Sequence, residues 1–272
     1  MASITDHVVE GLKYPLNDVK KVLIYGVLFA VLNLTYITRG IESLYIIKAF
    51  SRASGNSVWA KLSQIPQTDV FTMAFLSIIA LIVLLLILGY QYNLIKFSID
   101  KKEILPGFKD ILGLFKNGIK YLIVTVAYNV IPTIVLIAGV LTVNESYGIY
   151  LMLLSMALFI IVFFFLIMAI NNMVAYDKLS KAFDFREITD RIANLGWGKY
   201  IGIVLFTLIV LMVIMVALEF ILGILTMIFT MAVNQAIYVS MFMGIIEGLF
   251  ASSYCGVFYN RVLGSIYRES LK

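Results

Sequence analysis

The chain has 272 residues, of which 62% are hydrophobic and only 14% are charged. A water-soluble domain of this length would struggle to keep so large an apolar fraction off its surface, so the composition favours a membrane protein. The formal net charge is +5, but the basic residues are spread among four segments. That spread argues against nucleic acid as a partner and for loops that face anionic lipid headgroups.

Four uncharged stretches are long enough to cross a membrane as helices. They run over Val22–Thr38, Val70–Ile95, Tyr121–Asn144 and Ser146–Tyr176. Each meets or approaches the roughly 20 residues that are needed to cross about 30 Å of hydrocarbon. The first stretch is preceded by polar and mixed residues without a small-residue cleavage pattern, so we expect the first helix to stay in the protein.

The last apolar region, Tyr200–Asn260, contains only two charged residues, Glu219 and Glu247. Two spans of about 20 residues would leave room for an apolar turn, whereas three would leave none for the connections. The prediction is an all-α polytopic transmembrane bundle of six helices, forming a single domain over residues 1–272. Its spans are expected at approximately 20–38, 70–95, 119–142, 147–176, 200–222 and 238–260. Residues 223–235 could continue the fifth helix, re-enter the membrane or form an interfacial turn.

Lysine and arginine are concentrated in alternate connections between the spans. The second connection carries six and the fourth five, whereas the third and fifth carry none. These residues are Lys96, Lys101, Lys102, Lys109, Lys116 and Lys120, followed by Lys178, Lys181, Arg186, Arg191 and Lys199. Because basic loops resist translocation, we expect the even-numbered connections and both termini to be cytoplasmic.

The fourth connection contains an amphipathic helix. Phe185, Ile188, Ile192 and Leu195 recur at helical spacing, and charged residues take the other side. Asp184 precedes this pattern as a capping residue. Such a helix is expected to lie in the headgroup region with its apolar face toward the lipid.

A similar periodicity, Phe108, Ile111, Leu112, Phe115 and Ile119, precedes the third span. Both patterns run into entries that contain glycine, lysine and tyrosine, and the N-terminal arm offers a third such entry. One interpretation is a repeat of three units, each an interfacial helix that feeds a hairpin. The other is that any helix entry at the membrane surface collects lysine and aromatic residues.

The sixth span carries a row of small or polar residues at every fourth position. The row consists of Ser240, Gly244, Gly248, Ser252, Gly256, Asn260 and Gly264. Small side chains at this spacing let another helix approach to backbone contact. The row therefore predicts either close packing inside one chain or an interface between subunits, with Ser240, Gly244, Gly248, Ser252 and Gly256 at its centre.

Glu219 and Glu247 are carboxylates in apolar surroundings, Glu247 about midway along its span. An ionised carboxylate in that position is expensive, so it should face the bundle interior or water, or be protonated. One hypothesis is that Glu247, together with Glu219, binds a proton or cation or lines a polar path. The alternative is a neutral, hydrogen-bonded structural acid.

Enzyme signatures are missing from the sequence. His7 is the single histidine and lies in the N-terminal arm, which argues against a zinc pair, a histidine-based catalytic triad and bis-histidine haem ligation. No phosphate-binding glycine fingerprint occurs. Cys255 is the single cysteine and lies in an apolar setting, as expected of an unreactive core thiol. We expect no catalytic residue, metal or cofactor.

Three stretches at the helix entries carry a family resemblance. They are Gly11-Leu12-Lys13-Tyr14-Pro15-Leu16-Asn17-Asp18, Ala182-Phe183-Asp184-Phe185-Arg186-Glu187-Ile188 and Asn194-Leu195-Gly196-Trp197-Gly198-Lys199-Tyr200. The chain resembles an uncharacterised family of mostly archaeal multi-pass membrane proteins, domain of unknown function 4013. The resemblance covers nearly the whole chain and implies the plasma membrane of a prokaryotic, archaeal cell. It implies no activity, ligand or catalytic residue.

We therefore expect a non-enzymatic protein that organises, packs with or responds to the membrane. Its partners would be membrane lipids and, through the sixth helix, further copies of itself. The alternative is a small ion or solute transporter or channel that uses Glu247 and Glu219. A lipid-modifying enzyme is the third and least favoured reading. The surroundings of the Glu247 carboxylate, whether hydrated cavity, protein interface or lipid, distinguish these readings best.

Overall fold

A computed structural model describes residues 3–54, 57–233 and 235–271. Throughout these residues the secondary structure is helical and no strand occurs. Six of the helices in the described ranges are long and apolar enough to cross a membrane. The predicted fold class, an all-α bundle with six spans, is confirmed.

The described residues form ten α-helices. They are α1 (Ile4–Lys13), α2 (Val19–Arg52), α3 (Val58–Leu62), α4 (Gln67–Ile99), α5 (Ile111–Leu141), α6 (Gly148–Tyr176), α7 (Phe185–Leu195), α8 (Trp197–Val233), α9 (Ala236–Ile246) and α10 (Ser253–Ser270). Short 3-10 turns occupy Tyr14–Asp18 and Leu179–Phe183, and a π-helical turn, Glu247–Ser252, joins α9 to α10. The predicted spans at 20–38, 70–95 and 200–222 lie within α2, α4 and α8, and those at 119–142 and 147–176 overlap α5 and α6 except at one end residue each. The span at 238–260 crosses α9, the π turn and α10.

The chain divides into two compact units. The first comprises the described residues of Met1–Asp18, Leu88–Met212 and Gly256–Lys272, and the second those of Val19–Ile87 and Val213–Cys255. The single domain expected from the sequence is not tested by this division and stays a prediction.

Two helices extend well beyond their predicted spans. Residues 41–50 extend α2 to Arg52, and residues 223–233 extend α8 to Val233. Asn234, which belongs to the segment 223–235 whose conformation the sequence leaves open, lies outside the described residues. No glycine-proline or proline signal interrupts either stretch, and an apolar run without a breaker keeps its backbone hydrogen bonds most simply by remaining helical.

The amphipathic helix of the fourth connection is α7, and its capping is as expected. The Asp184 carboxylate accepts a hydrogen bond from the backbone N–H of Glu187. The orientation differs from the expectation, because Ile188, Ile192 and Leu195 are buried within the protein. Their apolar face packs into the core of the first unit rather than against lipid headgroups.

The second periodic stretch is not a separate interfacial helix. The helical residues of 108–120 belong to the first turns of α5, which begins at Ile111 and continues to Leu141 without a break. The Asp110 side chain caps the start of α5 through the backbone N–H of Gly113 at 2.8 Å. In contrast, Gly196 ends α7 with φ at +90°, a conformation that favours glycine, so that α7 and α8 are distinct helices.

Candidate functional site

Glu247, the mid-span carboxylate of the second unit, lies at the start of the π turn and faces α2. Its Oε2 accepts a hydrogen bond from Asn33 Nδ2 at 3.1 Å, and its Oε1 accepts one from Ser252 Oγ at 3.0 Å. The same Asn33 nitrogen donates to the carbonyl oxygen of Gly244 at 3.0 Å. Among the residues described, Glu247 therefore faces an interface between helices of its own chain.

Glycines bring α2 into backbone contact with α9 and the π turn. A Cβ placed on Gly248 would lie 2.5 Å from the backbone nitrogen of Ala30, and one on Gly26 would lie 2.5 Å from the carbonyl oxygen of Leu249. At Gly244 the nearest atom would be the side chain of Ile37, at 2.9 Å. Only residues without a side chain allow this approach, which explains how Asn33 reaches the carboxylate.

The other members of the predicted small-residue row have different environments. Ser252 turns its hydroxyl to Glu247, whereas Ser240 is exposed and donates to the Ala236 carbonyl of its own helix at 2.9 Å. Gly256 lies half-buried in α10. The contacts of Gly244 and Gly248 with α2 account for those two glycines without a second copy of the chain.

Glu219 is not brought to Glu247. It lies on α8 with its side chain exposed, and the hydrogen bonds and ion pairs found within the described ranges include none to it. Of these two carboxylates, Glu247 has polar partners and Glu219 faces outward. A polar path that uses both carboxylates has no support in these contacts.

A cavity of about 1220 Å³ lies in the first unit, between α5, α6 and α8. Of its lining residues only Asn129 and Ser155 are polar, and both hydrogen-bond to backbone: Asn129 Nδ2 to Thr125 O at 2.7 Å and Ser155 Oγ to Pro132 O at 3.1 Å. The remainder are aliphatic and aromatic residues: Leu136, Val143, Ile149, Met152, Leu153, Met156, Phe159, Ile160, Phe163, Phe164, Leu166, Leu205 and Leu208. Sequence reasoning missed this cavity, because a shape between helices leaves no periodic signal.

His7 is buried against α10. Its Nδ1 lies 2.8 Å from Ser265 Oγ and its Nε2 lies 2.6 Å from Glu269 Oε2, while Lys199 Nζ donates to Glu269 Oε1 at 2.7 Å. The location of His7 in the N-terminal arm therefore does not exclude a serine–histidine–carboxylate arrangement. Burial is the stronger argument against catalysis, since Ser265 is only 1% exposed and its hydroxyl also donates to the Val262 carbonyl.

Arg261 is the centre of a second buried group of charges. It is fully buried, its guanidinium pairs with Glu10 at 2.8 Å and Glu103 at 3.2 Å, and it lies 4.2 Å from the centre of the Tyr14 ring. Arg268 pairs with the other oxygen of Glu10 at 3.0 Å. Arg261 and Arg268 of α10 thus hold α10 to Glu10 of α1.

The start of α7 is held to the end of α6 by one carboxylate. Burial alone would raise the pKa of Glu187, but hydrogen bonds from Lys181, Tyr176 and Arg191 outweigh it and lower the pKa to about 2. The Lys181 Nζ to Glu187 Oε2 distance is 2.7 Å. Lys181 donates to both Glu187 and Asp184, and these two hydrogen bonds, that to Glu187 foremost, raise the pKa of Lys181 above its ordinary value.

Asp177 forms a comparable contact at the other side of α6. It accepts hydrogen bonds from Lys120 at 2.7 Å and from the Tyr92 hydroxyl at 2.6 Å. These two bonds, the lysine's first, hold the pKa of Asp177 below its usual value. Lys120 and Asp177 therefore neutralise one another.

The chemistry that these groups offer is limited. Among the described residues no group of three or more histidine, cysteine, aspartate and glutamate side chains could hold a metal ion. In the first unit His7, Glu10, Lys199, Arg261, Arg268 and Glu269 take part in ion pairs, and the cavity is lined almost entirely by apolar residues. In the second unit Glu247 has two polar side-chain partners, Asn33 and Ser252.

Comparison with known proteins identifies a family and a relative. The family model described as "Protein of unknown function (DUF4013)" matches residues 72–223. The chain is similar to the uncharacterized protein MJ1189 of Methanocaldococcus jannaschii, with 24% identity over 298 aligned positions that cover 100% of this chain and 99% of that protein. No solved structure matches.

Proposed function

We propose that this chain, which belongs to the DUF4013 family of proteins of unknown function, is a non-enzymatic membrane-organising protein. Its ligand in this proposal is the hydrocarbon chain of a membrane lipid. The observation that carries the proposal is the apolar cavity of about 1220 Å³ between α5, α6 and α8. Ligand pockets typically measure about 300–1,000 Å³, so this cavity is large enough for an extended apolar ligand.

The position of the cavity supports a lipid as its occupant. Ile149, Leu153, Met156 and Ile160 line it and are also 55–65% exposed on the outer surface of α6. Large apolar side chains that are exposed on a membrane span face the lipid, so the cavity opens toward acyl chains rather than toward water.

The polar lining residues indicate what is recognised. Asn129 and Ser155 each donate to a backbone carbonyl. No charged side chain lines the cavity, so selection by headgroup charge has no basis there. We expect recognition of the chain by shape and apolar contact.

Catalysis and transport receive less support from the geometry. The serine beside His7 is buried, and a reacting group that is closed off from substrate cannot act on it. Transport through Glu247 and Glu219 requires a polar path, yet Glu219 is exposed on α8 and Glu247 is bonded to Asn33 and Ser252. Assembly through the sixth helix is not part of the proposal, since α2 of the same chain already covers Gly244 and Gly248.

The proposal includes a location. A plasma membrane of an archaeal cell, with both termini and the even-numbered connections cytoplasmic, is supported by the placement of lysine and arginine and by the archaeal source of the relative. Lipids are then the partners, and nucleic acid is not.

Photo-crosslinking tests lipid binding. The purified protein is mixed with a phospholipid that carries a photoreactive group in its acyl chain, and the labelled peptides are identified by mass spectrometry. Met156→Trp fills the cavity opening, whereas Leu154→Trp, at a residue of α6 that is 50% exposed and does not line the cavity, is the matched control.

The expected result is labelling concentrated on α6 and α8 beside the cavity and reduced about tenfold, equivalent to about 1.4 kcal/mol, in Met156→Trp but not in Leu154→Trp. An excess of unlabelled lipid should compete. Labelling spread evenly over all the spans, or lost equally in both variants, would contradict the proposal.

A further inference from the structure

Glu247 lies in a region that provides no basic residue of its own. Between Val213 and Cys255 the sequence contains two charged residues, Glu219 and Glu247, both acidic. The ion pairs of the described residues do not include Glu247, whose side chain is only half-buried. A carboxylate inside a membrane span is normally paired, hydrated or neutralised, and a bound cation would neutralise it.

Oxygen atoms converge beside this carboxylate. The Asn33 amide nitrogen is bonded to both Gly244 O, at 3.0 Å, and Glu247 Oε2, at 3.1 Å, so these two oxygens face one point. Asn33 also has an amide oxygen. A half-turn of the side-chain amide would place this oxygen where the nitrogen lies, beside the other two oxygens. The Ser252 hydroxyl bonds the other carboxylate oxygen and fixes its direction.

The backbone at this place is irregular in a way that suits a cation. Glu247–Ser252 form a π turn between α9 and α10, and the carbonyl of Gly244, in the last turn of α9, accepts hydrogen bonds from the backbone N–H of Glu247 and from Asn33. Irregular backbone within membrane helices is found where it is buried in protein or lines a cavity, and its carbonyls together with carboxylates bind sodium ions in membrane proteins.

We propose that Glu247, Asn33 and the Gly244 carbonyl form a binding site for a sodium ion, with Ser252 orienting the carboxylate. Oxygen ligands suit a hard cation, and a single carboxylate balances a single positive charge in a medium where net charge is costly. The ion replaces the hydrogen bonds of the Asn33 nitrogen and joins α2 to α9 more firmly. The proposal is independent of the lipid cavity, whose residues belong to the first unit.

Thermal unfolding of the full-length protein in detergent tests the site. The protein is purified in choline chloride and titrated with sodium chloride at constant ionic strength. At a sodium concentration about 100 times the dissociation constant, the midpoint should rise by about 5–10 °C. Glu247→Gln should abolish the rise. Glu219→Gln, which removes the exposed carboxylate of α8, is the matched control and should retain it.

Direct binding keeps the test valid if Glu247→Gln unfolds. Wild-type protein should bind radioactive sodium saturably and Ser252→Ala, which keeps every proposed ligand, should bind it about tenfold more weakly. Equal midpoints in sodium and choline together with no saturable sodium binding would overturn the proposal. A sodium response of Glu247→Gln equal to that of the wild type would overturn it as well.

Discussion

Replacing Gly248 with alanine should weaken the contact between α2 and the π turn. The added Cβ would lie 2.5 Å from Ala30 N and 2.7 Å from Ala30 Cα, both of them backbone atoms. Ordinary contact between heavy atoms begins near 3.5 Å, so the helices must separate by about 1 Å. Overpacking of this kind costs about 1–3 kcal/mol.

Gly223→Ala is the matched control, because nothing lies within 4 Å of a Cβ placed on that helical glycine. There the higher helix propensity of alanine should stabilise α8 by up to about 1 kcal/mol. The two variants should therefore differ by about 1–4 kcal/mol in the free energy of unfolding, measured by titration with denaturing detergent. If Gly248→Ala were as stable as Gly223→Ala, the assignment of this glycine to a contact within the chain would be refuted.

Three further outcomes follow from the ion pairs and the thiol. The pKa of Glu187 is lowered from 4.5 to about 2, so its stabilising contribution is complete above about pH 5 and is lost as the pH falls. Glu187→Gln should therefore unfold at a lower midpoint than the wild type at neutral pH. The difference between the two midpoints should disappear toward pH 2. Arg261→Met removes a buried guanidinium from Glu10 and should cost about 1.5–3 kcal/mol in the same detergent titration, a loss that an unchanged midpoint would contradict. Cys255, which is 8% exposed, should react with a water-soluble maleimide only after unfolding, and rapid labelling of the native protein would show that it is not a core residue.

Hydrophobicity and local chemistry made much of the fold predictable. Four uncharged stretches and the long apolar region Tyr200–Asn260 gave six spans, because every backbone polar group in lipid must be bonded within a helix. Asp184 followed by the spacing of Ile188 and Ile192 predicted α7, because capping and periodicity are properties of neighbouring residues. The local pattern could not show whether protein or lipid covers the apolar face of α7, because both surroundings require apolar side chains.

Long-range contacts explain most of what sequence reasoning missed. Glu247 stood out as an isolated charge, but its partner Asn33 is 214 residues away and is an ordinary polar residue at the middle of α2. His7 and Glu269 are 262 residues apart, and the sequence around each of them carries no signal that the two side chains are in contact. The cavity depends on how α5, α6 and α8 fit together, which apolar residues of similar size do not specify individually.

Cysteine labelling in intact cells tests the membrane arrangement on which the account rests. Lys101→Cys, Lys178→Cys and Glu145→Cys place thiols at exposed positions of the second, fourth and third connections, and the native Cys255 is buried. A membrane-impermeant maleimide should label Glu145→Cys in intact cells, and the two lysine positions only after permeabilisation. Labelling of Lys101→Cys and Lys178→Cys in intact cells, with Glu145→Cys protected, would contradict the arrangement.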